Sequence, residues 1–429
     1  MTLTTPRSSA IILLILLLLL IPLSAWSSQT AATLDELVAE GDRNNPDIFA
    51  SVARWNASVA RAQQAGSLED PMLMMRIQNA PLRTPLDMSR ESMSGRVIGI
   101  TQNLPFFGKR GLMKEEALHA AQADRWMVAE RRLELRRMIK EAWYQLYFID
   151  RSVETVLANA LILNDLIQLA ESMYSVGKTT QQEVFQAQLQ RSQLEEMRIG
   201  LEQQRRSLVA AINNLVYRQV DTPISTIGAN AIQPSPLTAA QLEQHAIAYR
   251  PLLNALQEQI DRAEAATRLA EKNIYPDVAV SVEYMQREPT ASDRGDDMYS
   301  AGLTFNLPIQ SDRRQAEIVE KRMEQRAAVQ DLAAARCEIR LKLADGLAQL
   351  ERSRRQIALY EHGILDQAKG TAEAAMAAYR TGKAGFSDVL ASRMNLFNLE
   401  REYHGAVSEY LRQQAVLENV AGISSEKSQ

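Results

Sequence analysis

The stretch Gly302-Leu303-Thr304-Phe305-Asn306-Leu307-Pro308 repeats Gly99-Ile100-Thr101-Gln102-Asn103-Leu104-Pro105, about two hundred residues earlier. Five of the seven positions are identical, and the changes are Ile100/Leu303 and Gln102/Phe305. A match at such an offset points to internal duplication. Other landmarks recur at a similar distance: Asn45-Pro46 with Arg250-Pro251, Pro71 with Pro276, Tyr174 with Tyr379, Gly177-Lys178 with Gly382-Lys383, and Val184 with Val389. The chain reads as one unit used twice.

Composition says what kind of unit it is. The 429 residues are 46% hydrophobic and 23% charged, with net charge −4 and no long run of one sign, which argues against a nucleic-acid partner. Glycine, proline and aromatics are scarce, a balance that favours long helices. The single cysteine, Cys337, excludes an intrachain disulfide or a cysteine-based zinc site.

Arg7, the apolar run Ile11–Ile21, Pro22 and the small residues Ser24, Ala25, Ser27 and Ser28 predict a secretory signal peptide over 1–28. Cleavage is expected near Ala25 or Ser27, without lipidation. No long apolar stretch is expected after it, so a further membrane crossing needs β-strands.

The first repeat, 29–218, opens with helix over 33–66, interrupted at Asn45-Pro46. Leu73, Met75 and Ile77 alternate with polar or flexible neighbours, predicting a strand over 72–78. A second strand is expected over 96–104. One very long helix follows to Val176. Its stripe Ala142, Leu146, Ile149, Val153, Val156, Ala160, Leu163, Ile167 and Ala170 has the four–three spacing of helices packed side by side. Gly177 ends it, and a return helix runs to about Tyr217. Residues 219–237, rich in proline, form an inter-repeat connector.

The second repeat, 238–423, follows the same plan. Its strands are expected at 278–285 and 298–307, with a long helix to Arg380. A disordered tail is expected over 424–429. Pro71, Pro105, Pro276 and Pro308 mark the junctions between strands and helices.

Four strands in two separate hairpins cannot close a barrel, and a lone hairpin is marginal. Three chains supply twelve strands, within the range of outer-membrane barrels. One apolar and one polar face per strand suits lipid outside and a lumen inside.

The duplicated plan, Arg250-Pro251, Tyr275-Pro276 and the Tyr379-x-x-Gly382 turn followed by Asp388-Val389-Leu390 resemble the TolC-like outer membrane efflux proteins over essentially the whole mature chain. Ser67–Leu73, Asn79-Ala80-Pro81 and Gln102–Arg110 look like the branch serving heavy-metal pumps. The resemblance implies a mainly α fold with a membrane β-barrel. It implies a homotrimer with a twelve-stranded barrel and an α-helical periplasmic tunnel. It further implies docking to a periplasmic adaptor and an inner-membrane pump of the RND type, contact with outer membrane lipid, no cofactor and no catalysis. The alternatives are a drug-efflux or type I secretion channel, or a poreless periplasmic coiled-coil adaptor.

By the same resemblance, Tyr174, Gly177, Lys178, Tyr379, Gly382 and Lys383 are docking candidates at the helix turns. Ordinary turn chemistry alone also explains the glycines. Asp388 matches an aspartate of the family's gate motif Asp-Val-Leu-Asp, although Ala391 replaces the second one. Glu183 holds the equivalent place in the first repeat. Both are gate candidates, and the competing reading is solvated charge on a helix face. The methionines Met72, Met74, Met75, Met88 and Met93 read as strand and loop packing more readily than as ligands for soft ions. His119, His245, His362 and His404 show no ligand spacing. No nucleophile triad or phosphate loop is present.

Overall fold

The computed structural model describes residues 33–226 and 238–423, apart from Thr84 and Leu86. The expected signal peptide, most of the connector and the tail lie outside the described residues. Each repeat begins with a capped helix. Thr33 accepts from the Glu36 N–H while Glu36 accepts from the Thr33 N–H, and Thr238 and Gln241 do the same in the second copy. These boxes start α1 (Leu34–Asn44) and α5 (Ala239–Tyr249). Proline at the first helical position starts α2 (Pro46–Ala65) and α6 (Pro251–Lys272).

The breaks between these helices are held alike by unlike residues. Asn45 Nδ2 donates to the Leu215 carbonyl at 2.8 Å, and Arg250 donates to the Val420 carbonyl at 2.7 Å. Asn45 Oδ1 also accepts from the Asp47 N–H. Arginine has no acceptor, so Glu130 takes that role in the second copy. It accepts from both Arg250 and the Leu252 N–H.

The long helices are α3 (Lys109–Ser175) and α4 (Gln181–Leu215) in the first repeat. At ~1.5 Å per residue, α3 is a rod of roughly 100 Å. In the second repeat α7 (Ser311–Leu359) passes through a π turn at Tyr360–Ile364 into α8 (Leu365–Arg380), and α9 (Phe386–Ala421) returns. The expected long helix to Arg380 is thus continuous, with one i→i+5 turn inside it.

The expected stripe of α3 is the packed one. Leu146, Ile149, Val156, Leu163 and Ala170 are buried, with Ala142, Val153, Ala160 and Ile167 packed beside them. One part of α3 is long and apolar enough to cross a membrane by length and composition, so the expectation of no long apolar stretch was too strict. Part of that stretch faces its own core, while Leu157 and Leu161 on the same helix remain exposed.

The strands correct a second expectation. β1 (Met72–Gln78), β2 (Gly95–Leu104), β3 (Val278–Arg287) and β4 (Met298–Phe305) form one antiparallel sheet in sequence order. The hairpins are not separate, because β2 of one repeat pairs with β3 of the other, from Gly95↔Arg287 to Leu104↔Val278. β4 ends at Phe305, short of the expected Leu307. Asn306 instead turns to Asp277, accepting from the Asp277 N–H and donating to Asp277 Oδ2.

Opposed residues share a face. One row runs Leu73–Ile100–Val282–Ala301 and the next Met75–Ile98–Tyr284–Tyr299. These side chains are largely exposed, with Met75 at 71% and Tyr299 at 85%. The other face carries Thr101, Ser281, Ser300 and Thr304, and a 2.8 Å ion pair between Arg76 and Glu283. Met88 is fully buried in the β1–β2 loop, and Met75 lies on the apolar face. The outer edges of β1 and β4 have no strand partner among the described residues.

The four prolines lie where sheet meets helices. Pro71 immediately precedes β1, Pro105 immediately follows β2, Pro276 lies just before β3 and Pro308 just after β4. A polar knot ties this level together across the repeats. Asp277 Oδ1 accepts from Lys109 Nζ at 2.8 Å and from the Phe106 N–H at 2.7 Å. Lys109, nearly fully buried, also donates to the Tyr275 carbonyl. Phe106 and Tyr275 stack at 4.6 Å. Burial alone pushes the Asp277 carboxyl up, but the bonds from Lys109, Phe106 and Asn306 hold it below its ordinary 3.8.

Asp277→Asn keeps the shape of the knot but leaves the buried Lys109 without a counter-charge, and is expected to cost about 3 kcal/mol. Denaturant unfolding of the detergent-solubilised protein checks this, and a loss below ~0.5 kcal/mol contradicts it. Because the folded pKa is lowered, this stabilisation is complete above the ordinary carboxylate pKa. It disappears as pH falls through the folded value. The gap between wild type and Asp277→Asn is therefore expected to close only in strong acid.

Candidate functional site

The two helix–helix turns lie together at one end of the rods. Both are built by the same backbone motif. Gly177 has φ +71°, its N–H bonds to the Tyr174 carbonyl, and the Lys178 N–H bonds to the Met173 carbonyl. Gly382, also at +71°, does the same with Tyr379, as Lys383 does with Ala378. This double bond pattern closes a helix on a left-handed residue, which glycine adopts without strain.

The side chains diverge where the backbone does not. Tyr174 is half exposed, and Lys178 and Lys383 are exposed. Tyr379 is only 4% exposed. Its ring meets Phe386 edge-on at 5.7 Å, and its hydroxyl donates to Glu183 Oε2 at 3.2 Å. The Tyr379 side chain is thus packed inside the chain as a strut between the two repeats, where Tyr174 stands at the surface. Burial, reinforced by Glu183, raises its pKa and keeps the hydroxyl protonated.

Glu183 and Asp388 occupy the third position of α4 and α9, where a carboxylate meets the positive end of the helix dipole. Asp388 accepts from the Gly385 N–H at 3.2 Å. Glu183 accepts from the Thr179 hydroxyl as well as from Tyr379. Phe386, Val389, Val184 and Ala187 are buried beneath them in one cluster spanning both repeats. The two carboxylates are therefore placed equivalently and anchored on a rigid base. Asp388 remains exposed and Glu183 half-buried.

Among the described residues this end offers no nucleophile–base pair, but the chain has the parts of a long conduit. An amphipathic sheet with open edges stands at one end, paired rods run beneath it, and a charged tip closes the other end. The profile of the outer membrane efflux protein family matches residues 37–216 and 242–423, one match per repeat. The chain belongs to the outer membrane efflux protein family. It is thus an outer membrane channel that extends into the periplasm, and the family and fold neighbours are channels, not enzymes.

A curated relative is the cobalt-zinc-cadmium resistance protein CzcC of Cupriavidus metallidurans. It is 22% identical over 379 residues, 87% of this chain and 88% of its own length. Among solved structures, CusC superposes with a TM-score of 0.80 at 16% identity, covering 92% of each chain. VceC of Vibrio cholerae superposes with a TM-score of 0.75 at 20% identity, covering 92% of this chain and 98% of its own.

The Lys109–Asp277 knot and the strut role of Tyr379 were absent from the sequence reading. The Tyr-x-x-Gly-Lys pattern is the same in both repeats, so it carried no signal separating Tyr174 from Tyr379.

Tyr379→Phe is expected to remove one hydrogen bond, costing about 1 kcal/mol, and Tyr379→Ala about 3–4 kcal/mol through the lost ring. Hydrogen exchange at 170–190 and 376–392 measures the local opening. Equal, small effects of Tyr174→Ala and Tyr379→Ala contradict the strut.

Proposed function

We propose that this chain is the outer membrane channel of a tripartite efflux system that exports heavy-metal cations. The observation that carries the metal reading is the near full-length relationship to a cobalt-zinc-cadmium resistance protein. The chain supplies the path, and an inner-membrane pump of the RND type supplies the energy. A periplasmic adaptor joins the two.

Three chains form the conduit. β4 of one copy pairs with β1 of the next, giving twelve strands whose Leu73–Ile100–Val282 face meets lipid and whose Arg76–Glu283 face lines the lumen. The repeats at 29–218 and 238–423, joined by the connector 219–237, give twelve helical strands beneath.

The turns form the periplasmic mouth. Tyr174, Lys178 and Lys383 meet the adaptor, with Gly177 and Gly382 fixing the turn. Three copies each of Glu183 and Asp388 form carboxylate rings near the constriction, and such rings favour cations over anions. Of the five clustered methionines, Met88 is buried and Met75 lies on the apolar face, while Met72 and Met74 share the face of Arg76.

Growth of a deletion strain, with and without a plasmid copy, across copper, silver, zinc, cobalt, nickel and cadmium and a drug panel tests this reading. Sensitivity to one or a few metals, restored by the plasmid and with drug tolerance unchanged, is expected. A plasmid carrying Glu183→Gln with Asp388→Asn is expected to restore metal tolerance only partly. Sensitivity to drugs alone keeps the channel and overturns the metal cargo. Full rescue by the double variant overturns the carboxylate rings.

A further inference from the structure

Away from the turns, α3 and α6 bring together three side chains with no sequence signature. His119 lies on α3, ten residues below Lys109, hence roughly 15 Å beneath the barrel junction. Glu258 and Asp261 lie three residues apart on α6 and project from one helix face. One ligand atom from each falls within 4.8 Å of the other two. His119 Nδ1 is already 2.7 Å from Glu258 Oε2. All three are half-buried, and among the described residues neither carboxylate pairs with a lysine or arginine. Asp261 Oδ1 accepts from Gln257 Nε2 at 3.1 Å, a support that orients the carboxylate. Nearby Arg262 is directed to Glu116 and Gln259 instead.

We infer that His119, Glu258 and Asp261 form a divalent-cation site of the Zn²⁺ class that clasps α3 to α6. One imidazole and two carboxylates are the donor set of borderline divalent ions, and the absence of sulfur disfavours Cu(I). Two carboxylates side by side, without a lysine or arginine on either among the described residues, suit a divalent cation between them. Tetrahedral zinc needs donors about 3.3 Å apart at bond lengths of ~2.0–2.2 Å, so the 2.7 Å His119–Glu258 contact opens slightly on binding. Water takes the fourth position.

The site joins the two repeats through helices that lead directly to β2 and β3. It is a fixed structural site, independent of what passes through the channel.

The test uses the detergent-solubilised full chain, stripped with chelator and titrated with ZnCl₂ by calorimetry, with melting followed in parallel. Wild type is expected to bind about one zinc per protomer and to melt at higher temperature with zinc. Glu258→Gln with Asp261→Asn, and separately His119→Gln, are expected to weaken binding at least about tenfold and to abolish the zinc-dependent shift. Glu264→Gln, an exposed acid on the same helix, is expected to behave as wild type. Two results overturn the inference: wild-type binding no tighter than that of folded His119→Gln, or an equal loss in Glu264→Gln. Neither result bears on the metal-tolerance phenotype, so this site and the exported cargo are judged separately.

Discussion

The structure depends on an unsatisfied sheet. Four strands present one apolar and one polar face, and the outer edges of β1 and β4 have no strand partner among the described residues. The exposed Leu73, Met75, Ile98, Ile100, Val282 and Leu303 lie together on one face of the sheet, an apolar surface of the kind that marks a membrane or partner contact. In lipid the open edges are equally untenable, because each unpaired group costs several kcal/mol. Closure with further copies meets both demands at once.

The helical half answers a related constraint. A rod about 100 Å long cannot bury a core by itself, so its stability comes from a narrow stripe packed against neighbours. Between the sheet and the rods lies the Lys109–Asp277 knot, which draws its partners from both repeats. At the far end the Tyr379–Glu183 bond does likewise. The duplicated chain is thus fastened across its pseudo-symmetry at both ends.

Much of this was legible in the sequence because the signals are local. Asn45-Pro46 and Arg250-Pro251 break helices, Gly177 and Gly382 end them, and the alternation in 278–284 marks a half-exposed strand. What escaped depends on residues far apart in sequence. The β2–β3 pairing joins strands nearly two hundred residues apart, and no local pattern announces it. Burial of Tyr379 but not Tyr174 follows from Phe386 and Glu183, which belong to different repeats. His119 showed no ligand spacing because its companions are on another helix. Similarly, nothing within 355–365 marks the π turn at Tyr360–Ile364.

The most direct measurement is the mass of the folded complex extracted from the outer-membrane fraction in mild detergent. A heat-modifiable particle of three copies is predicted, with the edges of β1 and β4 protected from backbone hydrogen exchange. A stable monomer recovered from the soluble periplasm, with those edges exchanging freely, contradicts the account.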